Sequence, residues 1–386
     1  MMSKEPQRRT LISGGALALA SLLVATVFAS GSAQAQTYTT FSASGAGTGE
    51  NEGTVATAIN TAGTIAGYYI DSSNVYHGFV RSTAGAITEF EAAGAGTGSK
   101  QGTKAYGINT AGTICGAYHD SSGIWHGFVR TSAGTITEFS ATGAGTMPGQ
   151  GTYAFAINTA GVIAGLYLDE NWVVHGFKRT ASGTITEFNV TGAGTGTLQG
   201  TGAMGINTGG EITGYYVDSG NVSHGYSRSS TGTITTFNAK GAGTGSNQGT
   251  GGNFPNSLDF FVGINTAGTI AGYYVDASNV YHGFERTSSG TLTEFSASGA
   301  GTGAGQGTLA AGINTAGTIT GYYADGSGVG HGFSRTSGGT LTGFEAPGAG
   351  TAVGQGTAGY GINTAGTITG TYVDSSYVFH GYLRTP

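Results

Sequence analysis

An aspartate and a histidine stand six residues apart at seven places along the chain. A carboxylate beside an imidazole could work as an acid–base pair, and several such side chains together could bind a metal ion. A catalytic site is normally one constellation, however, and this pair is present in seven equal copies. We therefore expect the pairs to hold hairpins together, with no catalytic residue and no metal site among them. The pairs are Asp71 and His77, Asp120 and His126, Asp169 and His175, Asp218 and His224, Asp276 and His282, Asp325 and His331, and Asp374 and His380.

Two other motifs could be taken for binding loops. Turns such as Asp71-Ser72-Ser73-Asn74 resemble calcium loops, but a calcium loop usually gathers more than one carboxylate, and most of these turns contain one. The Gly-Ala-Gly-Thr-Gly runs, of which Gly45 to Gly49 is the first, superficially resemble phosphate loops, but no Lys-Ser or Lys-Thr follows them. Calcium stays the less favoured alternative, and the sequence predicts no cofactor.

These motifs belong to one unit of about 49 residues that is repeated seven times. The run Ile-Asn-Thr, followed by Ala or Gly and then Gly, marks each copy. Its asparagines are 49 residues apart except once, where nine extra residues (251–259) raise the spacing to 58. A fixed period of this length is typical of a propeller or another repeat array. The asparagines are Asn60, Asn109, Asn158, Asn207, Asn265, Asn314 and Asn363.

Each unit has the pattern of four antiparallel strands. In the second copy, segments rich in β-branched and aromatic residues cover 104–108, 113–119, 124–130 and 135–140, and turns of Gly, Asn, Asp and Ser separate them. The sequence therefore predicts an all-β, seven-bladed β-propeller of seven four-stranded repeats. A β-solenoid with a 49-residue coil is the alternative.

The two ends of the repeat region complement each other. The chain stops after the third strand of the last copy, and Thr37 to Phe41 matches a fourth strand that has no unit before it. We expect this N-terminal strand to join the last blade and close the ring. Closure would remove the strand edges that an open array exposes.

The first 35 residues have the pattern of a signal peptide. Lys4, Arg8 and Arg9 precede an uncharged apolar stretch (10–29), and Ala33-Gln34-Ala35 fits a small-x-small cleavage site. The arginine pair resembles a twin-arginine export signal, and an uncleaved membrane anchor is the alternative. We expect residues 36–386 to form the mature repeat domain, secreted to the extracellular space or the periplasm, with no membrane span.

Charge and cysteine content exclude some partners. Removing residues 1–35 leaves 11 basic and 19 acidic residues, a net charge of −8. A chain with this charge and no basic cluster is a poor ligand for nucleic acid. The one cysteine, Cys115, stands where other copies have Ala or Thr, so we expect a small buried filler and no disulfide. We expect a monomer.

The units also resemble the extracellular repeats named for a His-Ala-Phe (HAF) motif. The motif reads His77-Gly78-Phe79 in the first copy, with Gly in place of Ala throughout and with Tyr226 and Tyr382 in place of Phe in two copies. The Gly-Tyr-Tyr and Ile-Asn-x-x-Gly runs before it fit as well. The resemblance implies a secreted, propeller-like protein and brings no catalytic residues with it.

Features present in one copy only are those that the repeat does not require. In a four-stranded blade, the link into the next blade and the turn between the second and third strands share one face. We expect ligand contacts on that face, either with Trp172 as an exposed contact or with Trp172 covering a hydrophobic gap. The candidate contacts are Glu170, Trp172, Asn253, Phe254 and Asp259.

Three functions fit these patterns. The first is a secreted or cell-surface binding module for a glycan or a protein, made multivalent by its repeated loops. The second is a structural component of the envelope or matrix without a specific ligand. The third is an enzyme with a site over the central channel, which needs a unique polar constellation that the sequence lacks. The sequence favours the first and predicts no enzyme.

Overall fold

A computed structural model describes residues 36–251 and 262–386. The predicted signal peptide lies outside the described residues, and so do Asn253, Phe254 and Asp259 of the insert. In the described ranges the backbone forms strands, turns and bends. No helix there is long and apolar enough to span a membrane.

The described residues form 29 strands, numbered here in chain order. They are β1 (Thr37–Phe41), β2 (Gly53–Ile59), β3 (Ile65–Ile70), β4 (Tyr76–Arg81), β5 (Ile87–Phe90), β6 (Gly102–Ile108), β7 (Ile114–His119), β8 (Trp125–Arg130), β9 (Ile136–Phe139), β10 (Gly151–Ile157), β11 (Ile163–Leu168), β12 (Val174–Arg179), β13 (Ile185–Phe188), β14 (Gly200–Ile206) and β15 (Ile212–Val217). The others are β16 (Ser223–Arg228), β17 (Ile234–Phe237), β18 (Gly249–Thr250), β19 (Gly263–Ile264), β20 (Ile270–Val275), β21 (Tyr281–Arg286), β22 (Leu292–Phe295), β23 (Gly307–Ile313), β24 (Ile319–Ala324), β25 (Gly330–Arg335), β26 (Leu341–Phe344), β27 (Gly356–Ile362), β28 (Ile368–Val373) and β29 (Phe379–Thr385).

Within a repeat the strands pair in chain order. In the second repeat, β6 pairs with β7, β7 with β8 and β8 with β9, all antiparallel. Asparagine and aspartate close the turns between them, because their side-chain oxygens accept backbone N–H groups. Asn109 Oδ1, for example, accepts the N–H of Thr113 at 2.9 Å. The strand segments expected in this repeat agree with the structure to within two residues.

The ring closes through the two ends of the chain. Strand β1 pairs antiparallel with β29, from Thr37 opposite Thr385 to Phe41 opposite Gly381. This is the pairing that the incomplete last copy predicts. The closing strand comes from the start of the chain, so the outer edge of β29 is paired at this seam.

The prediction of seven four-stranded blades is wrong in that form. The structure has 29 strands, and hydrogen bonds join all of them into one closed, propeller-like sheet. Two causes are visible. The first strand of the fifth repeat is described as two short strands, β18 and β19, on either side of the insert. Parallel pairings between successive repeats also merge the units into one sheet, as at Gly102 opposite Tyr76.

Backbone contacts fix each junction between repeats. Gly102 has φ +110°, and a Cβ atom there would lie 2.0 Å from the carbonyl oxygen of Tyr76, so the junction requires glycine. Deeper in the ring, Asn60 donates its Nδ2 to the carbonyl oxygen of Asn109 at 3.1 Å. The same bond recurs around the ring, and the last one runs from Asn363 back to Asn60.

The aromatic residue and the arginine of the His-Gly-Phe-x-Arg run also join repeats. Phe128 is fully buried between the sheets of neighbouring repeats. The guanidinium of Arg130 lies 4.7 Å from the ring centre of Phe90, on the last strand of the preceding repeat. Arg81 and Phe41 make the same contact at 4.8 Å across the seam. The motif therefore builds the core and adds a cation–π contact at each junction.

Candidate functional site

Each Asp–His pair is part of a small polar cluster on the second and third strands. Asp71 Oδ1 accepts the backbone N–H groups of Ser73 at 2.8 Å and Val75 at 2.9 Å, which closes the turn. Its Oδ2 lies 3.2 Å from His77 Nε2. The His77 ring stacks on Tyr69 with ring centres 4.7 Å apart. The side chains of Asp71, His77 and Tyr69 are thus in contact with one another within one repeat.

The same cluster is present in all seven repeats. The distance between the histidine Nε2 and the aspartate Oδ2 ranges from 3.0 to 3.3 Å. Among the residues that the structure describes, no group of three or more His, Cys, Asp or Glu side chains is placed to hold a metal ion. The structural role of the pairs stays a prediction.

The aspartates of these clusters are held ionised. Burial raises the pKa of Asp169, but the bonds from the backbone N–H of Val173 and from His175 outweigh it, so the pKa lies below its ordinary value. A carboxylate with both oxygens already accepting hydrogen bonds is a poor general base. It is well suited to fix a turn.

The other ring nitrogen of each histidine has a partner that differs between repeats. His77 Nδ1 lies 2.6 Å from Glu91 Oε1, and this bond raises the pKa of His77 above its ordinary value. His331 has Glu345 in the same place; burial lowers its pKa, but the bonds to Glu345 and Asp325 outweigh burial and raise it. In the other repeats the partner is uncharged: Ser140, Asn189, Asn238, Ser296 and Ser42.

A glutamate on the fourth strand ties the cluster to the neighbouring link, and the sequence analysis missed it. Tyr69 donates its hydroxyl to Glu89 Oε2 at 2.9 Å, and burial together with this carboxylate raises the pKa of Tyr69. Ser44 Oγ donates to Glu89 Oε1 at 2.9 Å. The signal was available as a Thr-Glu-Phe run in four copies. Thr236, Gly343 and Thr40 take the place of the glutamate in the remaining three.

The links and the Asp turns lie on one side of the ring, here called the loop face. The N–H of Gly145, in the link before the third repeat, donates to the carbonyl oxygen of Leu168 at 2.8 Å, next to the Asp turn. In this repeat the link 142–146 and the turn residues Asp169 and Glu170 enclose a groove of about 420 Å³. Glu170 is exposed at its edge.

Trp172 does not line that groove. It has φ +64° and is half-buried, and it packs against the large hydrophobic cluster of the second to fifth repeats. A Cβ atom on Gly149 would lie 2.8 Å from Trp172 Cη2, so the indole covers this link closely. Of the two expected roles of Trp172, these contacts support the covering of a hydrophobic gap.

Residues that differ from repeat to repeat gather around the inner strands. Lys104 is the one lysine at its place in the repeat, and only 5% of its surface is exposed. Its Nζ lies 3.7 Å from the ring centre of Tyr76, 4.8 Å from that of Tyr68 and 5.9 Å from that of Trp125. The three rings form an aromatic cage around the ammonium group.

The channel at the centre of the ring has two different zones. One zone is a cavity of about 190 Å³ lined by Ile, Asn and Thr from all seven repeats, including the asparagine ring. The other is about 210 Å³ and contains residues that vary, among them Tyr106, Phe155, Met204 and Tyr360. The zone with the repeated lining suits a structural role. In the other zone the side chains differ between repeats, so a ligand there would meet an asymmetric surface.

No protein-family model matches the sequence, and no curated protein does. Solved structures do share the fold. The lectin BP39L from Burkholderia pseudomallei matches with a TM-score of 0.53 and 10% identity, over 85% of this chain and 94% of its own. Puromycin hydrolase matches with a TM-score of 0.52 and 11% identity, over 84% of this chain and 51% of its own. A six-bladed fungal lectin from Aleuria aurantia matches with a TM-score of 0.38 and 14% identity, over 72% and 89%.

At these identities the similarity shows the fold alone. A lectin and a hydrolase share one architecture here, so function has to be argued from the site. The third match is too distant to carry an argument. The resemblance to the His-Ala-Phe repeats stays a prediction.

Proposed function

We propose that the protein is a secreted, multivalent glycan-binding module that presents its loop face to its ligand. The observation that carries the proposal is the sevenfold recurrence of one link and one Asp turn on the same side of a closed ring. The backbone bond that joins them recurs in every repeat, from Gly47 to Ile70 in the first to Gly350 to Val373 in the last.

The chemistry of these loop pairs suits sugars. Sugar hydroxyls donate to carboxylates and carbonyl oxygens, and they accept from backbone N–H groups. Several link N–H groups are already bonded within the protein, as Gly143 is to Glu187 and Gly145 is to Leu168, so we expect carbonyl oxygens of the links and the exposed Glu170 carboxylate to accept the sugar hydroxyls. The groove beside Glu170, at about 420 Å³, has the size of a small-ligand site.

Multivalent binding gives a reason for seven links and Asp turns of similar sequence. Seven weak sites on a rigid ring bind a surface that displays many copies of one sugar far more tightly than each site binds the free sugar. The shared fold with the Burkholderia lectin agrees with this proposal, although it does not identify the sugar.

A glycan array followed by an orientation test checks the proposal. The protein is tethered to a sensor through one introduced cysteine, either Thr142→Cys in a link on the loop face or Ser132→Cys in a turn on the opposite face. Cys115 is fully buried and leaves the introduced thiol as the reactive one.

We expect protein tethered through residue 132 to bind the glycan that the array identifies. Protein tethered through residue 142 should lose most of this binding signal, because its loop face is turned towards the sensor. We also expect a glycan displayed on a surface to bind more tightly than the free glycan. Failure to bind any glycan, or equal binding in both orientations, would contradict the proposal.

A further inference from the structure

Another cavity lies where the sixth and seventh repeats meet, and residues of the first repeat also line it. Its volume is about 260 Å³, and its walls are mainly apolar. Four aromatic side chains line it: Tyr322 from the sixth repeat, Tyr360 and Phe379 from the seventh, and Tyr68 from the first. A cavity with so many rings is rare in an otherwise filled repeat interface.

The cavity exists because this interface has small residues where other copies have large ones. Gly330 begins the third strand of the sixth repeat, and the same place holds Tyr76, Trp125, Tyr281 and Phe379 in four other repeats. Gly330 does not have a positive φ, and a Cβ atom on it would lie 3.4 Å from its nearest neighbour. The backbone therefore accepts a side chain at this position, and glycine here opens space.

The matching interface between the first and second repeats contains a cation. Lys104 occupies there the place that Ala358 occupies in the seventh repeat, and its ammonium group sits among Tyr68, Tyr76 and Trp125. Tyr322 is the counterpart of Tyr68, and Phe379 is the counterpart of Trp125. The cavity is therefore the counterpart of that cage with Ala358 in place of the lysine and Gly330 in place of the Tyr76 ring, and Tyr360 and Tyr68 also line the space that these changes open.

One polar group in the cavity has no partner. Thr371 lines the cavity and is 4% exposed, and its Oγ1 makes no hydrogen bond to any described residue. Its counterpart in the second repeat is Ala117, which has no such group. A buried hydroxyl without a partner is costly, so a ligand that carries one hydrogen-bonding group would be stabilised here.

The cavity can be reached from the loop face. Gly328 of an Asp turn and Gly354 of a link line it. Val353, 69% exposed, lies beside Gly328, so an apolar side chain stands in the open next to the entrance. These residues belong to a link and a turn, and both open to solvent.

We propose that this cavity binds a small methylated ammonium compound that carries a hydroxyl group, of which choline is the simplest probe. The rings face the methylated cation, as the rings around Lys104 face its ammonium group. A fully methylated ammonium has no N–H group to satisfy, so mainly apolar walls with aromatic rings suit it. The Thr371 hydroxyl bonds the ligand hydroxyl. The cavity lies behind one link and one Asp turn of the loop face, and the choline measurement needs no glycan, so its outcome is independent of the proposed glycan binding.

The experiment measures choline binding by calorimetry and compares it with 3,3-dimethylbutan-1-ol, which has the same shape without the charge. We expect choline to bind at least about tenfold more tightly than the neutral compound, because the cation–π contact needs the charge. Equal or tighter binding of the neutral compound would overturn the proposal, and so would failure of choline to bind.

Variants locate the site. Gly330→Tyr places the ring of the first and fifth repeats in the space that the glycine leaves open, and Ala358→Lys supplies an internal ammonium group; each should lower choline affinity at least about tenfold. Gly326→Ala is the control, because a Cβ atom there meets nothing within 4 Å. Its affinity should equal that of the wild type. If Gly330→Tyr does not fold, Ala358→Lys decides, and a folded variant that binds choline normally refutes the assignment.

Binding to vesicles distinguishes a lipid headgroup from a free compound as the source of the methylated ammonium group. Vesicles of phosphatidylcholine that bind the protein and release it on addition of choline would show that a lipid headgroup enters the cavity. Choline binding without vesicle binding would show a free compound as the ligand. Both results support the shared chemistry, whereas vesicle binding that choline and Gly330→Tyr leave unchanged would count against it.

Discussion

Replacing His175 by Ala should weaken the ring and leave glycan binding intact. The His175 ring stacks on Tyr167 at 4.8 Å, its Nε2 lies 3.3 Å from Asp169 Oδ2, and its Nδ1 lies 3.1 Å from Asn189 Oδ1. The stack contributes about 0.5–1.5 kcal/mol and each hydrogen bond about 0.5–1.5 kcal/mol net. The side chain is 19% exposed, so water replaces part of the lost bonds. We expect the free energy of unfolding to fall by about 1–3 kcal/mol.

Two changes at Asp169 separate the turn from the histidine. Asp169 Oδ1 accepts the N–H groups of Asn171 and Val173, both at 2.8 Å. Asp169→Asn keeps an oxygen for these bonds and loses the charge that faces His175. Asp169→Ala loses both, so it should destabilise the protein more than Asp169→Asn.

Urea denaturation and the glycan titration are measured on the same preparations. If His175→Ala leaves the free energy of unfolding unchanged but abolishes glycan binding, the Asp–His pairs are functional and the reasoning fails. If Asp169→Asn costs as much as Asp169→Ala, the turn bonds are not what the aspartate contributes.

Deleting Thr37–Phe41 should leave the outer edge of β29 without a partner, so the melting temperature should fall and the protein should associate; a deletion variant that stays monomeric and melts normally would contradict closure. Replacing Glu91 by Ser, the residue type of the second repeat, should lower the pKa of His77, which the Glu91 bond raises, and an NMR titration of His77 measures it. Because the pKa of His77 is raised, the bond to Glu91 stabilises the folded protein fully below the ordinary pKa of 6.5, and this stabilisation is lost as the pH rises through the folded-state pKa. Glu91→Ser should therefore destabilise the protein more at about pH 5 than at about pH 9. An equal effect at both pH values would refute the coupling. Burial raises the pKa of Cys115 to about 12, so a thiol reagent should modify it only after unfolding, and rapid reaction of the native protein would disprove its burial.

The repeat period and the turn residues predicted the strand bounds of the second repeat to within two residues, and they predicted the pairing of β1 with β29. Both depend on local patterns: asparagine and aspartate at fixed places, with alternating or apolar runs between them. The merging of the units into one sheet could not be predicted in this way. It depends on single parallel pairings at residues such as Gly102, and one glycine in a glycine-rich chain gives no distinctive signal.

The candidate site was only partly predictable. Glu170 and Trp172 stand out because they occur in one copy, but a backbone with positive φ turns Trp172 towards the hydrophobic cluster, which no local pattern reveals. Lys104 looks like a solvent-exposed residue in the sequence and is buried by rings from two repeats. The cavity at Gly330 does leave a signal, since a comparison of the copies position by position shows glycine where aromatic residues recur.

The junctions between repeats are made by main-chain atoms, by the asparagine ring and by the arginine–phenylalanine contacts. The backbone of Gly330 pairs with Gly356 at its junction, whereas the side chains at positions 104, 330 and 358 lie beside the junctions without forming them. During evolution, a substitution at one of these places can therefore change what an interface holds without changing the angle between neighbouring repeats. The interfaces at Lys104 and at Gly330 are two such compartments, one filled by an ammonium group and one open. Such a ring can gain a ligand site at one interface between repeats while the other interfaces stay unchanged.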